Sequence, residues 1–212
     1  PRPRHARPAA AGPGDVTPLS SYLLVRPKDV ATQTKGGLLL TTASKDKPNE
    51  GEVLSVGPGH VDRESGKRLP VWAEVGKQVL YSRFGAEKVK VGGDELALVR
   101  DDEVLLSYDG GEATLENLKM PLGKLLVRLR EEAAETEGGL VLSKGAAKPD
   151  TKVGEVVAAG EGVRGKDGEI LPMEVAVGDS VRFRWGREVK LEVGKDEFRA
   201  IDADDCLAKW KE

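Results

Sequence analysis

The chain has 212 residues, 33% of them charged and 4% aromatic, with 26 glycines, 12 prolines and a net charge of −3. Many turn formers and few rings suit small, thin-cored β-domains better than one large α/β enzyme. The mildly acidic balance argues against a general nucleic-acid binder, and no apolar run reaches the roughly 18 residues of a membrane-spanning helix.

The chain opens on Pro1–Gly14, rich in Pro, Ala and Arg and without an acidic residue before Asp15. Two readings stay open for this stretch, the remnant of an organelle transit peptide and a disordered tail. Short aliphatic runs follow, separated by Gly, Pro and Asp: Leu23–Val25, Gly51–Val56, Gln78–Tyr81 and Glu95–Val99. Runs of this length at turn-punctuated spacing predict the strands of a sandwich or small barrel. Between the first two lies Gly36-Gly37-Leu38-Leu39-Leu40, three aliphatic residues inside a polar segment. Burying one Leu is worth roughly 1.5–3 kcal/mol, so such a triplet either docks in its own core or is held out for a partner.

The second half repeats the first. Tyr22-Leu23-Leu24-Val25-Arg26 returns as Lys124-Leu125-Leu126-Val127-Arg128, a spacing of 102 (124 − 22). Gly36-Gly37-Leu38 returns as Gly138-Gly139-Leu140, followed by Val141 and Leu142. Lys47-Pro48, Gly51-Glu52-Val53, Gly57-Pro58-Gly59, Leu69-Pro70, Val75-Gly76 and Asp94-Glu95-Leu96 all have counterparts at nearly the same spacing. A unit near one hundred residues is a domain rather than a solenoid repeat. The expected division is a tail over 1–16, barrel one over 17–111 ending on the Gly110-Gly111 hinge, a linker over 112–118 and barrel two over 119–212. Lys166-Asp167-Gly168-Glu169 carries an Asp-Gly pair suited to a tight hairpin, matched by Asp62 to Gly66 in the first unit. Arg128–Glu137 is rich in Glu and Ala and favours a local helix, although its counterpart Arg26–Lys35 does not.

Little in the chain carries catalytic chemistry. Gly160-Glu161-Gly162-Val163-Arg164-Gly165 fits G-x-G-x-x-G, but a turn follows where a dinucleotide site needs a helix. The paired glycines are read instead as tight backbone turns. With His5 and His60 as the only histidines and Cys206 as the only cysteine, neither a zinc set nor a Ser-His-Asp or Cys-His site can be assembled. No catalytic residue, metal or cofactor is therefore expected. The lone cysteine excludes an internal disulfide and fits a reducing compartment; aligned with Val104, it reads as a small apolar core residue. The acidic runs at Asp101-Asp102-Glu103 and at Asp202, Asp204 and Asp205 read as solvated turn charges rather than a carboxylate catalyst. Val181-Arg182-Phe183-Arg184-Trp185-Gly186-Arg187 interleaves rings and bases. Its period-2 alternation favours a half-buried strand over a nucleic-acid stacking platform. A tandem β-barrel nucleic-acid-binding module is the alternative kept from that stretch.

In order, each half shows Pro-Leu, Leu-Val-Arg, a Gly-Gly-aliphatic triplet, Lys-Pro, Gly-Glu-Val, Gly-x-Gly, Leu-Pro-x-x-Val-x-x-Gly and a closing acidic-aliphatic segment. This series resembles the GroES-like co-chaperonins, the chaperonin 10 family, and spans nearly everything from Thr17 to Leu207. Two copies in one chain are similar to the chloroplast branch of that family. The resemblance implies an all-β fold of two tandem GroES-like small β-barrels, each with a mobile loop and a roof hairpin. It implies that Gly36, Gly37, Leu38, Leu39 and Leu40, with Gly138, Gly139, Leu140, Val141 and Leu142, dock on the apical domains of a large chaperonin 60-type partner in its ATP- or ADP-bound state. It places Glu64, Ser65, Gly66 and Lys67, and Lys166, Asp167, Gly168 and Glu169, in the roof of a lid over an unfolded substrate. It further implies a homo- or hetero-oligomeric ring of co-chaperonin subunits, no enzymatic activity, and the chloroplast stroma, with another reducing organelle or the cytosol as alternatives. Lys209-Trp210-Lys211-Glu212 runs beyond the family's usual closing strand.

Overall fold

A computed structural model describes residues 16–28, 48–130, 153–165, 167–184, 186, 188–193 and 196–211. Among these residues every regular element is a strand or a short 3-10 turn. Both Gly-Gly-aliphatic triplets, Lys166, Trp185, Arg187, Glu212 and the Glu131–Glu137 part of the expected helix lie outside the described residues. The start of that helix is corrected, because Arg128 and Leu129 belong to a strand.

The chain divides into two compact units, one chiefly Asn49–Ser107 with the strand before it, the other chiefly Tyr108–Gly165 and Glu169–Glu212. In the first unit the strands are β1 (Tyr22–Pro27), β2 (Asn49–Val56), β3 (His60–Val61), β4 (Arg68–Leu69), β5 (Gln78–Tyr81), β6 (Ala86–Val91), β7 (Asp94–Arg100) and β8 (Val104–Tyr108). They run in the order β6-β7-β1-β2-β5-β8, with β3 and β4 forming a separate hairpin. β9 (Leu118–Lys119) leads into the second unit. There follow β10 (Lys124–Leu129), β11 (Val153–Ala159), β12 (Val163–Arg164), β13 (Ile170–Leu171), β14 (Ser180–Phe183), β15 (Val189–Val193), β16 (Asp196–Asp202) and β17 (Cys206–Trp210). Their order, β15-β16-β10-β11-β14-β17, repeats the first, and β12 and β13 form the matching hairpin.

Alternation builds each core. Leu23 and Val25 of β1, Val53 of β2, Val79 and Tyr81 of β5 and Val99 of β7 converge on one cluster. Leu125, Val127, Val156, Val181, Phe183 and Ile201 make the second. The same register shift interrupts both pairings, between Leu24 and Val25 against β2 and between Leu126 and Val127 against β11. In β14 the rings and bases separate as the alternation predicts, with Val181 and Phe183 buried and Arg182 and Arg184 exposed.

The units differ at the turn before the last strand. Asp101 opens a 3-10 turn, Asp101–Glu103, and its carboxylate accepts the N–H of Trp72 at 3.1 Å on both oxygens and that of Ala73 at 3.4 Å. Asp205, in the matching turn, is 4% exposed. The reading of these acids as solvated charges is corrected for Asp101, whose carboxylate caps backbone donors, and for Asp205, which is buried; Asp102, Asp202 and Asp204 are exposed as read. Asp101→Ala copies the second unit, which has Ala203 there. Stranding those donors costs roughly 1–3 kcal/mol, read as a lower urea midpoint for the first unit with the second unchanged.

Candidate functional site

The described residues fix the two ends of the segment that contains each Gly-Gly-aliphatic triplet. β1 and β2 are antiparallel neighbours, with Arg26 opposite Glu52 and Pro27 opposite Gly51. Lys28 N–H donates to the Glu50 carbonyl at 2.8 Å, and its ammonium pairs with the Glu50 carboxylate at 2.5 Å. Segment 29–47 therefore leaves and re-enters the fold at adjacent strand ends. The second unit repeats the arrangement, with Leu129 opposite Gly154 and Arg130 N–H on the Val153 carbonyl at 3.2 Å. Segment 131–152 joins those two ends.

Gly51 and Gly154 make these bases possible. A Cβ at Gly51 would sit 2.5 Å from the Arg26 carbonyl oxygen and 2.6 Å from Val25 Cγ1. At Gly154 the corresponding distances are 2.7 Å to the Arg128 oxygen and 2.3 Å to Val127 Cγ1. Sequence reasoning did not assign these glycines to the site; their signal was the Gly-Glu-Val shared by both halves. Gly51→Ala is expected to destabilise the first unit by roughly 1–3 kcal/mol through overpacking, measurable by urea unfolding.

Charge differs between the bases. Arg26 lies 3.8 Å from Glu52 on the adjacent strand. Its counterpart Arg128 turns the other way, over the Phe198 ring at 5.4 Å and 3.9 Å from Asp196.

The structure places Glu64, Ser65, Gly66 and Lys67 in the turn of the β3–β4 hairpin, and Asp167, Gly168 and Glu169 in that of β12–β13. Asp62 holds the first turn: its Oδ1 accepts Glu64 N–H at 3.0 Å, Ser65 N–H at 2.7 Å and the Ser65 hydroxyl at 2.9 Å. The Ser65 backbone bond, above all, lowers the carboxyl below its ordinary range. Gly66 takes φ +68°, which L side chains rarely adopt. The second hairpin has Gly165 where the first has Asp62, and closes with Gly165 N–H on the Glu169 carbonyl at 2.8 Å, as Asp62 N–H closes the first on the Lys67 carbonyl at 2.9 Å.

The glycines of the G-x-G pairs, read from the sequence as tight backbone turns, stand at close backbone approaches. A Cβ at Gly57 would meet the Ser20 oxygen at 2.3 Å, at Gly59 the Leu69 oxygen at 1.9 Å, at Gly160 the Pro121 oxygen at 2.1 Å and at Gly162 the Leu171 oxygen at 2.3 Å. Cys206 is half buried beside the second core, and burial, with the Asp205 charge behind it, pushes its thiol up to about 11. At neutral pH it stays protonated and poorly nucleophilic. Among the described residues no group of three or more His, Cys, Asp or Glu side chains is placed to hold a metal.

The fold and site thus define a duplicated all-β protein, each copy holding an aliphatic triplet on a segment whose ends are pinned by neighbouring strands. Residues 15–108 and again 117–210 match the family described as the chaperonin 10 Kd subunit. The chain belongs to that family, the co-chaperonins. It is 30% identical over 192 residues to the 20 kDa chloroplastic chaperonin of Spinacia oleracea, covering 91% of this chain and 71% of that one. Against the 20 kDa chloroplastic chaperonin of Arabidopsis thaliana the identity is 28% over 198 residues, with 91% and 75% covered. The co-chaperonin GroES of Kineococcus radiotolerans is 47% identical over 90 residues, 42% of this chain and 91% of its own length. The second family match ends at Trp210, and β17 runs to the same residue. Lys209 and Trp210 are therefore part of the closing strand, which corrects their reading as an extension beyond it.

Proposed function

We propose that this co-chaperonin acts as a ring-forming lid on a GroEL-type chaperonin and assists folding of the protein enclosed beneath it. The observation that carries the reading is the duplicated pair of neighbouring strand ends that flank the segment containing each Gly-Gly-aliphatic triplet. Leu38, Leu39 and Leu40, and Leu140, Val141 and Leu142, are the docking side chains, with Gly36-Gly37 and Gly138-Gly139 preceding them. A segment that orders only on docking gives up part of its binding free energy to conformational entropy. Each contact is then weak, and linking several loops restores overall affinity through effective concentration. Weak single sites also permit release when the chaperonin changes state.

In this reading the barrels span 17–111 and 119–212, the two hairpin turns form the roof, and the chain itself catalyses no reaction. The family resemblance implies a closed ring of seven barrels, and two barrels per chain do not divide into seven, so either the ring has another count or single-barrel subunits complete it. Relatives named as chloroplastic support a plastid location, and we infer the stroma within it; import into isolated chloroplasts with recovery from the stromal fraction tests this.

The deciding experiment is retention of the full chain on an immobilised chaperonin 60-type partner. Retention with ATP or ADP, and little without nucleotide, is the expected result. No retention in any nucleotide state sinks the reading. Native mass spectrometry, with and without a single-barrel co-chaperonin, tests the ring; a strictly monomeric chain under both conditions overturns that part.

A further inference from the structure

We propose that Lys209 is a positioning residue, a latch that holds the last strand of the second unit against the turn preceding β14. Apolar burial does little to hold that strand. In β17, Leu207, Ala208, Lys209 and Trp210 are exposed, and only Cys206 packs on the core. The counterpart β8 is buried at every residue. An element with few buried contacts opens at low free-energy cost unless something else ties it down.

The tie is polar. Lys209 Nζ donates to the Glu174 carbonyl and lies 3.7 Å from Asp179 Oδ2. The Asp179 side chain is 3% exposed. Its Oδ2 accepts the Ala176 N–H at 3.0 Å, while Oδ1 has no hydrogen-bond partner. A buried carboxylate so thinly compensated depends on a nearby cation. The turn is itself fastened to the sheet: Asp179 N–H bonds the Ala176 carbonyl at 3.1 Å, and the Asp179 carbonyl accepts Val156 N–H at 2.9 Å. Lys209 thus connects an outlying strand to a turn anchored on β11. Register supports the geometry, because Lys209 stands opposite Val181, two residues past Asp179. At the same places the first unit has Lys77 and Ser107, a cation and a hydroxyl with no carboxylate between them. The latch is specific to the second unit and independent of whether the chain docks on a chaperonin.

The test is amide hydrogen exchange of the intact chain, comparing residues 206–210 with Leu125–Val127 of β10. Lys209→Met is expected to speed exchange in 206–210 by about tenfold and leave β10 unchanged, while Lys209→Arg stays near the parent. In an Asp179→Asn background, where no charge awaits compensation, Lys209→Met has a markedly smaller effect. Added salt accelerates 206–210 in the parent, because the lysine is half exposed, but not in Lys209→Met. The proposal is overturned if Lys209→Met leaves 206–210 unchanged, speeds β10 equally, or acts by the same factor with and without the Asp179 carboxylate. It is also overturned if salt acts alike on parent and variant.

Discussion

A chain with serine at positions 38, 39 and 40 loses chaperonin binding more severely than one with serine at 140, 141 and 142. In the proposed docking each triplet would bury three aliphatic side chains, worth roughly 1.5–3 kcal/mol apiece. Losing one triplet should therefore weaken that loop's own contact by on the order of a thousandfold or more. In the assembled lid the fall is smaller, because the remaining loops still hold the complex. The asymmetry comes from what precedes each triplet. Lys28, Thr32, Thr34 and Lys35 lead into the first; Glu131, Glu132, Glu135 and Glu137, with Ala133 and Ala134, lead into the second. Glu and Ala favour helix, which sets the second segment apart from the first. Its charge also has the opposite sign. Nucleotide-dependent binding of the two triple variants to an immobilised chaperonin measures the difference, and equal losses remove the idea.

Much of this architecture was legible because duplication is a sequence property. The 102-residue spacing, the Gly-Glu-Val and Gly-x-Gly repeats and the alternation in Val181-Arg182-Phe183 led directly to paired units, close-packed glycines and a half-buried strand. What escaped were effects set by residues far apart in the chain. Asp101 looks solvated beside Asp102 and Glu103, because nothing local shows that Trp72 and Ala73 need an acceptor 28 or 29 positions away. Gly51 and Gly154 read only as the first residues of a repeated Gly-Glu-Val until the shifted β1 and β10 backbones stand against them. Lys209 and Trp210 look like a charged tail because β17 buries so little that its pattern carries no hydrophobic signal. The charge pair with Asp179 becomes visible only once β17 is laid beside β14.

Alkaline pH should weaken the two units in sequence, and one side chain decides the larger loss. Tyr81 is 1% exposed in the first core, and burial pushes its hydroxyl from 10.0 up to about 12. Phe183 occupies the same place in the second core and has nothing to ionise. The folded value of Tyr81 is raised, so its contribution is whole below pH 10 and is lost as pH climbs from 10 through 12. A hydroxyl held that far above its ordinary value contributes about 2–3 kcal/mol, all of it gone at the far end. In the second unit Cys206 is raised from 9.0 to about 11, so its contribution is lost between pH 9 and 11. Being half exposed, it gives the smaller effect. The second unit should therefore begin to weaken first and the first unit should weaken more. Urea midpoints followed through Trp72, with Trp185 and Trp210 replaced by Phe, report the first unit. Tyr81→Phe should flatten their fall between pH 10 and 12, whereas Cys206→Val should leave it intact. An unchanged fall in Tyr81→Phe means that the hydroxyl is solvated in the folded chain and that the alkaline loss has another source.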